Sequence, residues 1–219
     1  VNARTIILAN GELADPIAIR ARLVEWRGAR VIAADGGTHH AKKLGLRVDD
    51  VVGDADSLTP EEQEALQQAG ARFHLAPADK DETDLELALL LAVQEGAREI
   101  RILGALGGRM DMTLANVLLL TLPALEGLNV CIWHGRQTAW LIRPPGGGVT
   151  GAAGDTVSLI ALGSDAHGVR STGLVFPLKD ETLAFGPARG VSNVLIDSRA
   201  AVRLKEGLLL AVHTPGRAE

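Results

Sequence analysis

Thiol and aromatic side chains are scarce in these 219 residues: one cysteine, no tyrosine, three tryptophans and three phenylalanines. A lone Cys131 closes no internal disulfide, which excludes a disulfide-stapled secreted scaffold and makes a reducing cytoplasm the expected location. It also excludes a cysteine-built zinc site, and the six histidines show no paired spacing on one helix, leaving oxygen as the abundant ligand type. Neither a charged-then-apolar leader nor an apolar run of about 18 residues is visible, so no membrane role is expected. The formal net charge of −5 argues against a surface that coats nucleic acid or an anionic membrane. An anionic substrate therefore needs local cations or a metal. The familiar phosphate and nucleophile motifs are missing too: no Gly-x-x-x-x-Gly-Lys-Ser/Thr, no Gly-x-Gly-x-x-Gly after a strand, and no Gly-x-Ser-x-Gly elbow, which excludes a P-loop kinase.

What is present is a chain that is 47% hydrophobic and long enough for one large domain or two small ones. Residues 5–9, 30–34, 51–53, 72–75, 100–103 and 129–133 are short apolar runs, and helical patterns over 16–26, 60–69, 83–94 and 112–122 alternate with them. Thr59 followed by Pro60 is a helix start, and Gly70 a helix stop. This rhythm predicts right-handed βαβ crossovers and a mainly parallel sheet flanked by helices, a Rossmann-like α/β domain over residues 1–143. After Pro144-Pro145-Gly146-Gly147-Gly148 helical periodicity disappears. Short β segments at 156–162, 182–185, 194–196, 201–204 and 208–212 predict a small all-β sandwich or barrel over residues 144–219.

Ligands of an open parallel sheet bind beyond the carboxyl ends of its strands, and these ends are unusually acidic here. Asp35 follows the second predicted strand, Asp54 and Asp56 the third, Asp79, Asp81 and Asp84 the fourth, and the loop from Gly104 to Asp111 the fifth. Carboxylates gathered this closely repel unless a cation neutralises them, and Mg²⁺ suits such a set because it prefers oxygen and bridges carboxylates to phosphates. Each element has a plain structural reading as well. Asp54 and Asp56 suit a turn, Asp81 to Asp84 suit a capped helix start, and Gly107-Gly108 suits a flexible loop. Their conjunction on one sheet edge, with Lys80 and Arg109 as local cations, favours phosphorus-group transfer. An isolated Asp-x-Asp metal site, as in a glycosyltransferase or phosphatase, and a catalytically silent binding protein remain open.

Taken in order, Ala34-Asp35-Gly36-Gly37, Gly53-Asp54-Ala55-Asp56-Ser57, Asp79-Lys80-Asp81-Glu82-Thr83-Asp84 and Gly107-Gly108-Arg109-Met110-Asp111 resemble the signature of the thiamine pyrophosphokinase family. Ser171 to Leu178 and Gly190-Val191-Ser192-Asn193 resemble that family's thiamine-binding β domain. The resemblance implies transfer of the diphosphate of ATP to the hydroxyl of thiamine, giving thiamine diphosphate and AMP. It implies Asp54, Asp56 and Asp84 as Mg²⁺ ligands with Asp35 beside them in the catalytic cluster. It places ATP against Asp35, Gly36, Gly37, Ser57, Lys80, Asp81, Thr83, Gly107, Gly108 and Arg109. Thiamine is assigned to Asp111, Phe176, Ser192 and Asn193, with the pocket near the interface of a homodimer. A pyrophosphokinase acting on another hydroxyalkyl heterocycle, such as a pterin, is the nearest alternative. Trp26, Trp133 and Trp140 are expected in the core or at an interface.

Overall fold

The computed structural model describes residues 3–77 and 79–216. Two compact units divide the chain, Val1–Gly135 and Arg136–Glu219.

In the first unit, strands β1 (Arg4–Leu8), β2 (Arg30–Ala34), β3 (Asp50–Gly53), β4 (Arg72–Leu75), β5 (Glu99–Leu103) and β6 (Asn129–His134) alternate with helices α1 (Pro16–Leu23), α2 (Thr38–Leu44), α3 (Pro60–Gln68), α4 (Asp84–Gln94) and α5 (Met110–Leu118). The strands lie in the order β6-β5-β1-β2-β3-β4, and every neighbouring pair is parallel. Ile6, Ile7 and Leu8 of the central β1 are buried on both faces, as a sheet covered by crossover helices requires. Thr59 and Glu62 close a reciprocal capping box on α3, and the Thr83 hydroxyl accepts from Glu86 N at 3.2 Å to cap α4. The face of β5 and β6 under α1 holds the tryptophans: Trp26 and Trp133 meet edge to face at 5.8 Å, and the Arg22 guanidinium lies 3.9 Å from the Trp133 ring. Helix α2 was not anticipated from sequence, because seven residues carry too little apolar period to be read.

The second unit contains β7 (Gln137–Ile142), β8 (Gly146–Thr150), β9 (Thr156–Ala161), β10 (Ala166–Thr172), β11 (Lys179–Leu183), β12 (Asn193–Val194), β13 (Arg199–Arg203) and β14 (Leu209–Thr214). One antiparallel layer has the order β12-β9-β14-β7 and the other β11-β10-β13-β8. Ile142, Val157, Leu159, Leu209 and Ala211 of the first layer share a core with Val149, Val169, Leu183 and Val202 of the second. This is a sandwich.

The transition between the units differs from the sequence expectation in its position. The units separate after Gly135 rather than at residue 144, because β7 pairs along its length with β14, from Thr138↔His213 to Ile142↔Leu209. The triple glycine opens strand β8. Gly146, Gly147 and Gly148 pair with Arg203, Val202 and Ala201, and a Cβ on Gly146 would sit 2.2 Å from the Val202 carbonyl oxygen. Glycine here permits close strand approach, not flexibility.

Candidate functional site

The carboxyl ends of β2 and β3 deliver the acidic cluster. Asp35 follows β2 with a positive φ of 44°, buried, and Ala55 turns between Asp54 and Asp56 with φ 59°. Backbone strain of this kind is retained where surrounding contacts impose it. Gly53 ends β3 with φ 134°, and a Cβ there would lie 3.0 Å from the Asp84 carboxylate and 3.3 Å from Asp35 Cβ. The missing side chain lets β2, β3 and the start of α4 bring their acids together.

Asp35, Asp54 and Asp56 each offer one oxygen within 4.8 Å of the others. Asp35 Oδ2 accepts from the Ser57 hydroxyl, whereas its Oδ1 is buried without a partner among the described residues. Asp54 Oδ1 accepts from Asp56 N at 3.2 Å. Asp84 is beside this group and receives Lys80 Nζ at 2.7 Å. That hydrogen bond raises the Lys80 pKa above its ordinary value, with the charges of Asp84, Asp54 and Asp35 adding to it. The geometry therefore places Asp35, rather than Asp84, closest to the pair Asp54 and Asp56.

A cleft of about 660 Å³ opens along the same sheet edge, lined by Asp35, Thr83 and Asp84 on one side and by Gly107, Gly108, Arg109, Met112 and Asn116 on the other. Between them run Ala9, Asn10, Gly11 and Glu12 from the end of β1. Among the other residues expected here, Gly36 and Gly37 are buried in the turn that opens α2, and Asp81 is exposed just before the cap of α4. Arg109 Nε and Nη2 reach the two oxygens of Asp111 at 3.1 and 2.6 Å. The pairing raises the Arg109 pKa and lowers that of Asp111, and both side chains remain exposed.

Sequence reasoning gave no site role to the β1 loop, to His40, expected only as a polar group of a loop or helix, or to Asn116. His40 Nε2 donates to the Gly11 carbonyl at 2.8 Å, which leaves Nδ1 as a buried acceptor without a partner among the described residues. Burial holds the His40 pKa down. Asn116 Nδ2 donates to the Ala105 carbonyl at 2.7 Å, and its Oδ1 is likewise buried and without a partner among the described residues. Only the place of Ala9 to Glu12 after a strand could have flagged that loop, since it carries no recognisable motif.

In the second unit, Asn193 is buried and fully committed: its Oδ1 accepts from Phe176 N at 3.0 Å and its Nδ2 donates to Phe176 O at 2.7 Å. This bracket presents the Phe176 ring to solvent at 61% exposure. Ser192 adopts φ 59°, exposed, with its backbone N–H donating to Ser158 Oγ at 3.1 Å.

Comparison with known proteins matches both units. The family model for the thiamin pyrophosphokinase catalytic domain covers residues 22–132, and that for the thiamin pyrophosphokinase vitamin B1 binding domain covers residues 147–209. Thiamine pyrophosphokinase of Bacillus subtilis (strain 168) is 30% identical over 185 residues, spanning 84% of this chain and 86% of that protein. Thiamine pyrophosphokinase 1 of Oryza sativa subsp. japonica is 23% identical over 213 residues, 85% of this chain and 80% of that one. Among solved structures, thiamine pyrophosphokinase from Bacillus subtilis superposes with a TM-score of 0.85 at 26% identity, covering 97% of this chain and 99% of that chain. Yeast thiamin pyrophosphokinase, at 15% identity and a TM-score of 0.79 over 97% of this chain and 86% of that chain, shares the fold.

Proposed function

The chain belongs to the thiamin pyrophosphokinase family, and from that premise we propose that the acidic end of the cleft is where ATP gives its diphosphate to thiamine. The reaction class follows from the family: ATP-dependent formation of thiamine diphosphate, with AMP released. The match of residues 147–209 to a vitamin B1 binding domain favours thiamine over a pterin as acceptor.

One observation carries the assignment of the site. Three carboxylates converge within 4.8 Å while one buried oxygen of Asp35 has no partner among the described residues. An all-oxygen, all-anionic donor set fits a hard divalent cation, and Mg²⁺ is our assignment, held by Asp54 and Asp56 with Asp35 or Asp84 completing the set. Such an ion supplies charge neutralisation on the transferring phosphates. Lys80 offsets phosphate charge from the α4 side, and Arg109 does so from the glycine loop. The thiamine hydroxyl oxygen bonds to the β-phosphorus as the bond from that phosphorus to the α–β bridging oxygen breaks. AMP leaves with that oxygen, and a carboxylate of the cluster takes the hydroxyl proton. Catalysis of this kind rests mainly on positioning and electrostatics.

Asp111, Phe176, Ser192 and Asn193 form our proposed thiamine contacts, in a homodimer of cytoplasmic protein. Asn193 acts there by fixing the Phe176 backbone, which supports the ring as a stacking surface. The direct test is incubation of purified protein with ATP, Mg²⁺ and thiamine. AMP and thiamine diphosphate are expected in equal amounts, and thiamine-dependent ADP without AMP overturns the reading.

A further inference from the structure

The nucleoside of ATP must lie somewhere along the cleft, and the order of strands constrains where. The acids sit over β2 and β3, β1 is the next strand across, and β5 with the start of α5 is the one after that. Neighbouring strands are about 5 Å apart, so a molecule with its phosphates at Asp35 and Asp54 and its nucleoside along the cleft lays its ribose over the end of β1.

The group waiting at the end of β1 is Glu12. It lines the cleft, is exposed, and its carboxylate has no hydrogen-bond or ion-pair partner among the described residues. Its backbone is held firmly: Gly11 N and Glu12 N donate to the carbonyls of Gly104 and Leu106, both at 2.7 Å. Its side chain packs on the glycine loop, where a Cβ on Gly107 would come within 2.5 Å of Glu12 Cβ. Nearby Arg109 is already engaged with Asp111. An ionised carboxylate only accepts, so it repels phosphate and selects hydrogen-bond donors. Two oxygens side by side match two vicinal hydroxyls. We infer that Glu12 is the residue that holds the ribose of ATP, accepting hydrogen bonds from its 2′- and 3′-hydroxyls.

This assignment rests on the proposed diphosphate transfer, and the experiment separates the two. AMP formation by the unaltered protein is measured first with ATP; its absence defeats the reaction, not the ribose contact. The same protein is then given 2′-deoxy-ATP, 3′-deoxy-ATP and purine riboside triphosphate, which lacks the 6-amino group. A deoxy nucleotide is expected to lower kcat/KM by about tenfold or more, in the range for losing a hydrogen bond to a charged group. In Glu12→Ala the KM for ATP rises by a similar factor, the KM for thiamine stays near its original value, and the deoxy nucleotides become as good as ATP. That loss of discrimination is a change that general loosening of the loop does not produce. If Glu12→Ala still discriminates against deoxy nucleotides as the unaltered protein does, or loses discrimination only against the purine riboside nucleotide, the ribose assignment is wrong. The series on the unaltered protein decides the matter even if the variant folds poorly, since indifference to both ribose hydroxyls overturns the inference alone.

Discussion

Lys80 Nζ reaches from the loop before α4 to within 2.7 Å of Asp84 Oδ1 on the first residue of that helix, and the lysine also feels the charges of Asp54 and Asp35. A single ammonium is thus set against the whole acidic cluster. Replacing it with a neutral side chain leaves the carboxylates to repel one another and any incoming phosphate. Lys80→Met is expected to lower kcat/KM for ATP by roughly 10²-fold, the scale of losing one oriented charge partner of a transition state. Steady-state AMP formation measures it; a change of less than threefold removes Lys80 from the phosphate site.

The acids should cost stability when no cation is present. Asp54→Asn removes one of three carboxylates that lie within 4.8 Å of each other. Turnover should fall by at least 10²-fold, while the melting temperature without metal stays equal or rises, because like-charge repulsion is relieved. Adding Mg²⁺ should raise the melting temperature of the original protein and have a smaller effect on the variant. Equal Mg²⁺ responses in the two proteins would place the cation elsewhere.

Asn193 and Phe176 should separate stability from binding. Asn193→Ala leaves Phe176 N and O without their side-chain partners and is expected to destabilise the fold by roughly 1–3 kcal/mol in denaturant titrations. Phe176→Ala alters an exposed ring and should shift stability by no more than about 0.5 kcal/mol. Its effect is expected instead in a higher KM for thiamine. An unchanged thiamine KM argues against a contact with Phe176.

His40 imposes a pH dependence whose sign can be worked out. Burial lowers its pKa below the 6.5 of an unfolded chain, so the unfolded state takes up the proton first as the medium turns acid. The contribution to stability is fully present above pH 6.5 and is lost as pH falls from there through the lower folded value. Denaturant midpoints recorded from pH 7.5 down to 5.5 should decline less steeply in His40→Gln, which can still donate to the Gly11 carbonyl. Parallel slopes for both proteins exclude His40 as the source.

Much of this molecule is legible in local chemistry. Every strand of the parallel sheet shows as an apolar run, and the caps at Thr59 and Thr83 act where a hydroxyl before a helix predicts. The acids were visible as residues following strands. The β half was harder. Its strands β7, β8 and β10 went unread because a glycine-rich edge strand and a strand interrupted by the Gly168 irregularity carry no clean alternation, and they acquire their identity from pairing with β14, β13 and β11.

Sequence alone determined the α/β and all-β halves, the acidic loops and the family, because these depend on residue type, order and short-range periodicity. Only the tertiary structure decided that Asp35 joins Asp54 and Asp56 while Asp84 takes Lys80, and that Gly53 is the gap allowing it. It alone brought the unmarked β1 loop, with Glu12, between the acids and Asn116. Those relationships depend on which strands lie side by side, and strand order in a parallel sheet is set by long-range packing that no local run of residues encodes.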